Sequence, residues 1–153
     1  MPHKNQPWVI IVLGLFFFII DRILKYLFSH QAIEDSFFLT YTKNTGIAFG
    51  INFPKDFLII FYFIIALIIL ALIIWLIKLL TGGKYLAASL IWLVILGAGS
   101  NIIDRIKFGF VIDYINLHIW PVFNLADMMI AGGILIIIYI NVFKNSFSRG
   151  YWP

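Results

Sequence analysis

The chain has 153 residues and a formal charge of +4, with 63% of its residues apolar, 18% aromatic and 12% charged, and a mean hydropathy of +1.02. Soluble domains run near 45–50% apolar and about 25% charged, so this composition excludes a soluble globular domain and points to a bilayer. There is no cysteine to form a disulfide, a thiolate nucleophile or a metal site, and acid chemistry is confined to Asp21, Glu34, Asp35, Asp56, Asp104, Asp113 and Asp127.

Four stretches are apolar over the roughly 20 residues that a helix needs to cross about 30 Å of hydrocarbon. They cover residues 8–28, 57–80, 85–103 and 122–143. The expected architecture is an all-α membrane protein, one domain over 1–153 built as a four-transmembrane-helix bundle. In the first stretch the apolar run continues through Asp21, Arg22 and Lys25 to Phe28 without a small-x-small cleavage site, so it is expected to be a retained anchor. Thr81-Gly82-Gly83-Lys84 is a tight polar turn that makes the second and third spans an antiparallel hairpin. The other two connections, 29–56 and 104–121, are longer. Lys4, Lys78, Lys84, Lys144 and Arg149 fall on one side with no acid, whereas Lys43, Lys55, Arg105 and Lys107 share the other side with Glu34, Asp35, Asp56, Asp104 and Asp113. Both termini are therefore expected in the cytoplasm, and both long connections outside. No basic stripe suggests a nucleic-acid partner.

The first outward connection reads as strand and turn. Phe37-Phe38-Leu39-Thr40-Tyr41-Thr42 is aromatic and β-branched, Asn44-Thr45-Gly46 supplies a turn, and residues 47–51 return as a second strand. A small extracytoplasmic sheet is expected, either a plain hairpin or a surface where Gly46, Ala48 and Gly50 let a peptide or a lipid come close.

Residues 97–127 hold three of the acids. Asn101, Asp104 and Arg105 fall at i, i+3 and i+4 on one helical face. Asn124 and Asp127 share a face at the outward end of the fourth span, where an isolated carboxylate costs on the order of 2.5–3.5 kcal/mol and needs a partner. Asp113 follows Gly109 and an apolar run that can dip toward the membrane and bring it near Asp127. Two carboxylates in one partly dehydrated site share a proton, and such a pair suits metal-free amide hydrolysis. A structural pair or a proton relay fits the same spacing.

At these residues the sequence resembles a known family. Asn44-Thr45-Gly46-Ile47-Ala48-Phe49-Gly50, Asn101-Ile102-Ile103-Asp104-Arg105 with Gly109 and Val111-Ile112-Asp113-Tyr114, and Phe123-Asn124-Leu125-Ala126-Asp127 are similar to the blocks of bacterial lipoprotein signal peptidase, or signal peptidase II. The resemblance covers nearly the whole chain. It implies a cofactor-free aspartic endopeptidase of the bacterial cytoplasmic (inner) membrane that removes signal peptides from diacylglyceryl-modified prolipoproteins, cutting before the lipidated cysteine. It also implies a four-helix bundle with a β-cradle, Asp113 and Asp127 as catalytic aspartates near the outer face, and Asn44, Gly46, Asn101, Arg105, Asn124 and Ala126 as substrate-binding positions. Its partners would be the prolipoprotein, membrane lipids and globomycin-type inhibitors, and the chain is expected to act as a monomer without a metal.

Two departures from the family pattern stand out: Ser100 replaces the usual glycine before Asn101, and Arg22 adds a charge between Asp21 and Lys25. Asp21 and Lys25 are expected to form an i, i+4 helix-surface pair, and Asp104 a structural pair with its neighbour Arg105. His118 belongs to an aromatic interfacial loop, and Asn141 is expected to join helices. The alternatives are a metal-dependent phospholipid headgroup transferase and a small proton-coupled transporter. The first lacks an acid at position 117, which is Leu, and the second lacks ionisable groups continuing through the third and fourth spans.

Overall fold

The computed structural model describes residues 7–46 and 55–147, with side chains described for 8–46, 60 and 63–142. Its elements are α1 (Pro7–Ser29), β1 (Leu39–Asn44), α2 (Lys55–Thr81), α3 (Tyr85–Phe108), β2 (Val111–Ile115) and α4 (Leu125–Phe147). The four long helices fall where the apolar stretches lie. The main displacement is in α3, which runs to Phe108 and lifts Asp104 and Arg105 out of the expected connection onto its last turns.

Burial is inverted relative to a protein in water. Asp21, Lys25, Ser100, Asn101, Asp104, Asp113 and Asn124 are buried, while Leu, Ile and Phe side chains stand exposed along α1, α2 and α4. That pattern suits lipid as the solvent of the outer surface. Three helical segments, Phe63–Thr81, Tyr85–Phe108 and Leu125–Val142, are long and apolar enough to cross a membrane. Helix α1 has 23 residues but carries Asp21, Arg22 and Lys25 in its second half, and those charges turn inward.

Helix α3 is central and packs on α4, α1 and α2. It meets α4 closely because position 97 is glycine: a Cβ there would lie 2.5 Å from the Ala126 carbonyl oxygen. Gly109 ends α3 in the left-handed conformation, φ 79°, its N–H donating to the Arg105 carbonyl at 3.0 Å. That turn aims the chain straight into β2.

Strand β2 is buried from Val111 to Tyr114 and runs antiparallel to β1, with Thr42 opposite Asp113 and Asn44 opposite Val111. The expected partner for the first strand was the segment 47–51, which lies outside the described residues; among those described, β1 pairs with β2. Phe123 bridges to Ile115, so the sheet hands the chain directly to the start of α4. Beneath it Phe28, Ile112 and Tyr114 form a core, with the Phe28 and Tyr114 rings stacked 5.4 Å apart. The sheet, the C-terminal ends of α1 and α3 and the N-terminal end of α4 therefore meet at one end of the bundle.

Gly97→Ala is expected to lower the unfolding midpoint in detergent by an amount equivalent to about 1–3 kcal/mol, because the methyl forces α3 and α4 apart. An unchanged midpoint would contradict the close α3–α4 contact.

Candidate active site

Two carboxylates at this end are held by cations. Asp104 takes Arg22 Nη1 at 2.6 Å on one oxygen and Lys25 Nζ at 2.9 Å on the other, which also accepts the Ile112 N–H. Arg105, its neighbour in sequence, instead reaches the Gly46 carbonyl at 3.3 Å. Adjacent residues on a helix point about 100° apart, so the expected Asp104–Arg105 pair gives way to interhelical pairs. Asp21 and Lys25 do form the i, i+4 pair, at 3.1 Å, but both are fully buried rather than on the helix surface. Asp21 Oδ1 also accepts the Tyr114 hydroxyl and the Ala126 N–H, and Oδ2 accepts the Ser100 hydroxyl. Burial, and then the Asp21 charge, push the Tyr114 phenol above its usual range, so it stays protonated as the donor. Ser100 and Arg22, the two departures, thus belong to one buried network.

The other two carboxylates are held by amides. Asn124 caps α4: its Oδ1 accepts the Asp127 N–H at 2.9 Å, and the Asp127 carboxylate accepts the Asn124 N–H at 3.2 Å. This reciprocal cap fixes Asp127 in the first turn, where the helix dipole favours an anion. The Asn124 Nδ2 group also donates to Asp113 Oδ1 at 2.6 Å. On their far sides, Asp113 accepts Asn44 Nδ2 at 2.9 Å and Asp127 accepts Asn101 Nδ2 at 2.7 Å. One amide, Asn124, therefore ties the two aspartates together.

Burial pushes the Asp113 carboxyl up to about 6, the nearby Asp127 charge adding to it, while hydrogen bonds from Asn44 and Asn124 and the Lys25 charge oppose it. Asp127 is half-buried and borders an apolar groove of about 640 Å³ between α2, α3 and α4. Ile65, Ile68, Trp75 and Ile134 line its length, and Asn101, Arg105 and Asp127 form its polar end.

Of the remaining expected positions, Gly46 donates its N–H to Asn44 Oδ1, and Ala126 is fully buried against Asp21 and Gly97 rather than at the groove. Asn141 Nδ2 donates within its own helix, to the Ile137 carbonyl, and among the described residues no bond from it crosses to another helix. His118 Nε2 lies 2.6 Å from the Phe37 carbonyl and joins the two connections. Tyr114 is a site residue that the spacing of acids and amides does not single out: one residue after Asp113 on a buried strand, it points to the opposite face, where it bonds Asp21 and the Leu125 N–H.

The long apolar helices and their exposed apolar faces define a helical membrane protein. The family described as Signal peptidase (SPase) II matches residues 13–143, and the chain belongs to that family. It is 37% identical over 141 residues to the lipoprotein signal peptidase of Halothermothrix orenii, covering 86% of this chain and 94% of that protein. To the lipoprotein signal peptidase of Syntrophomonas wolfei it is 42% identical over 113 residues, covering 73% of each. A bacterial membrane enzyme solved by the in meso method at 2.3 Å superimposes with a TM-score of 0.73 at 27% identity, covering 100% of this chain and 98% of that one. A second, solved at 1.9 Å, gives 0.67 at 29% identity, covering 91% and 96%.

Asn44→Ala removes a donor that opposes the effect of burial, so Asp113 is expected to titrate above about 6 when followed by carbon-13 NMR of labelled aspartate. A value at or below the parent's would show that the Asn44 contact does not act on Asp113. Asn124→Ala is expected to cost at least about 1 kcal/mol through the lost cap, read as a lower unfolding midpoint.

Proposed function

We propose that this protein is a metal-independent aspartic signal peptidase II of the bacterial cytoplasmic membrane, releasing signal peptides from diacylglyceryl-modified prolipoproteins by cutting before the lipidated cysteine. Four spans with both termini in the cytoplasm put the sheet end of the bundle at the outer surface, in line with the distribution of Lys and Arg. The chain works as a monomer. The observation that carries the reading is the Asn124 side chain, which bonds Asp113 and caps the helix turn that holds Asp127.

The acyl chains of the substrate stay in lipid or the apolar groove, and the signal segment lies between the helices and the sheet. The incoming peptide displaces the Asn44 amide that covers Asp113. One ionised carboxylate removes a proton from water, whose oxygen attacks the scissile carbonyl carbon while the protonated carboxyl donates to the carbonyl oxygen. Collapse of the tetrahedral intermediate breaks the C–N bond, and the amine of the diacylglyceryl-cysteine leaves with a proton from the pair. Holding water and carbonyl against a rigid pair supplies the proximity contribution, and Asn124 or Arg105 steadies the oxyanion. The headgroup-transferase reading needs acids free to bind a cation, and Asp104 is committed to Arg22 and Lys25.

Purified protein is expected to cleave a diacylglyceryl prolipoprotein in EDTA, and Asp113→Asn and Asp127→Asn each to lose about 10²–10⁴-fold in kcat while remaining folded. Substantial activity in either variant would sink the assignment, and inhibition by EDTA would favour the metal alternative. A pair sharing one proton gives a bell-shaped pH profile: activity falls at low pH as the base is protonated and at high pH as the acid loses its proton. With Asp113 pushed up to about 6, one limb is expected near that pH rather than near 4, the usual aspartate range.

A further inference from the structure

Lys25 lies outside the proposed pair of aspartates yet touches what supports it. Its fully buried ammonium sits 3.1 Å from Asp21 Oδ2, 2.9 Å from Asp104 Oδ2 and 2.8 Å from Asn101 Oδ1, with Ser100 Oγ at 3.4 Å. Neutralisation does not require the Asn101 contact, because Asp21 and Asp104 are already balanced by Lys25 and Arg22. That contact, together with Asn124 Nδ2 donating to the same oxygen at 3.1 Å, fixes which way the Asn101 amide points. An ammonium only donates, so it draws the amide oxygen toward α1 and turns Nδ2 toward Asp127, to which it donates at 2.7 Å. The flipped amide would set NH₂ against an ammonium and a carbonyl against a carboxylate, two repulsive contacts in a low-dielectric site.

We propose that Lys25 is a positioning residue for the cleavage reaction, locking Asn101 as the donor that holds Asp127 and placing a positive charge behind both aspartates so that one of them stays ionised. This rests on the aspartic reading above. The titratable and charged groups packed around Lys25 and the pair are Asp21 and Arg22 from α1, Asp104 and Arg105 from α3, and Tyr114 on the opposite face of β2 from Asp113. Lys43 on β1 lies over the Tyr41 and Phe110 rings instead. Among the described residues, α2 brings only apolar side chains to the groove. Of the cations, Lys25 is the fully buried one, and its charge acts on Asp113 against the effect of burial. Arg22 secures the arrangement by occupying the other oxygen of Asp104.

The test labels the six aspartate side chains with carbon-13 in the full-length protein in detergent, the Asp113 signal being identified by its loss in Asp113→Asn. In Lys25→Met, Asp113 is expected to titrate about one pH unit higher than in the parent. The acid limb of kcat/KM should move up with it, and kcat should fall more than KM rises. Because Lys25→Met leaves a buried carboxylate without its cation, Lys25→Met with Asp104→Asn is measured alongside it. That double variant keeps the network neutral, and because loss of the Asp104 anion offsets loss of the cation at Asp113 it is read on kcat, which is expected to stay low since Asn101 remains unlocked. An unmoved Asp113 titration in folded Lys25→Met, or a parent-like kcat in the folded double variant, overturns the proposal. A parent protein that failed to cleave prolipoprotein would count against the functional reading instead, and the titration reads Lys25 without any turnover.

Discussion

A carboxylate at membrane depth has to be given hydrogen bonds or an opposite charge, and this end of the bundle is arranged around that constraint. Four aspartates converge there, and they divide cleanly. Asp21 and Asp104 are matched by Lys25 and Arg22. Asp113 and Asp127 are met by the amides of Asn44, Asn101 and Asn124, neutral donors that leave the pair free to share a proton. Asn101 joins the two sets, accepting from Lys25 on one side and donating to Asp127 on the other.

The fold supplies the convergence through short, stiff links rather than through loops. Gly109 turns α3 into β2, the Phe123 bridge passes the sheet into α4, and the Asn124 cap starts that helix with Asp127 already in place. Gly97 lets α3 approach α4 closely enough for Asn101 to reach across. Positions more than 20 residues apart in sequence are thereby held on helix ends and a buried strand, which suits a site that must stay ordered against lipid. Among the described residues the apolar groove carries its polar lining, Asn101, Arg105 and Asp127, at this end.

Much of this was legible in the sequence, because lipid imposes long apolar helices and makes each charge conspicuous. The helices, the polar clustering in 97–127 and the approach of Asp113 to the start of α4 follow from hydropathy, glycine placement and helical spacing. Partner choice did not follow. Asp104 was matched to Arg105, its neighbour in sequence, whereas the cations that reach it come from α1, some 80 residues away. The i, i+4 pair of Asp21 and Lys25 was legible, but not its burial, which depends on α1 rotating its charged face onto α3. The pairing of β1 with β2 is equally non-local, since no turn of fixed length joins the two strands to set their register. Ser100 stands out in the sequence only as a departure from glycine, whereas its hydroxyl is a link in the charge network.

The central claim is that Asp113 and Asp127 act as one unit rather than as two independent contributors, and a double-mutant cycle on kcat tests it most directly. Asp113→Asn, Asp127→Asn and the double variant are compared on one diacylglyceryl prolipoprotein, each checked for folding. A shared-proton pair predicts that the double variant is no slower than the slower single one, because either change alone already disables the pair. Losses that multiply would contradict it, and would mean that the two carboxylates contribute separately.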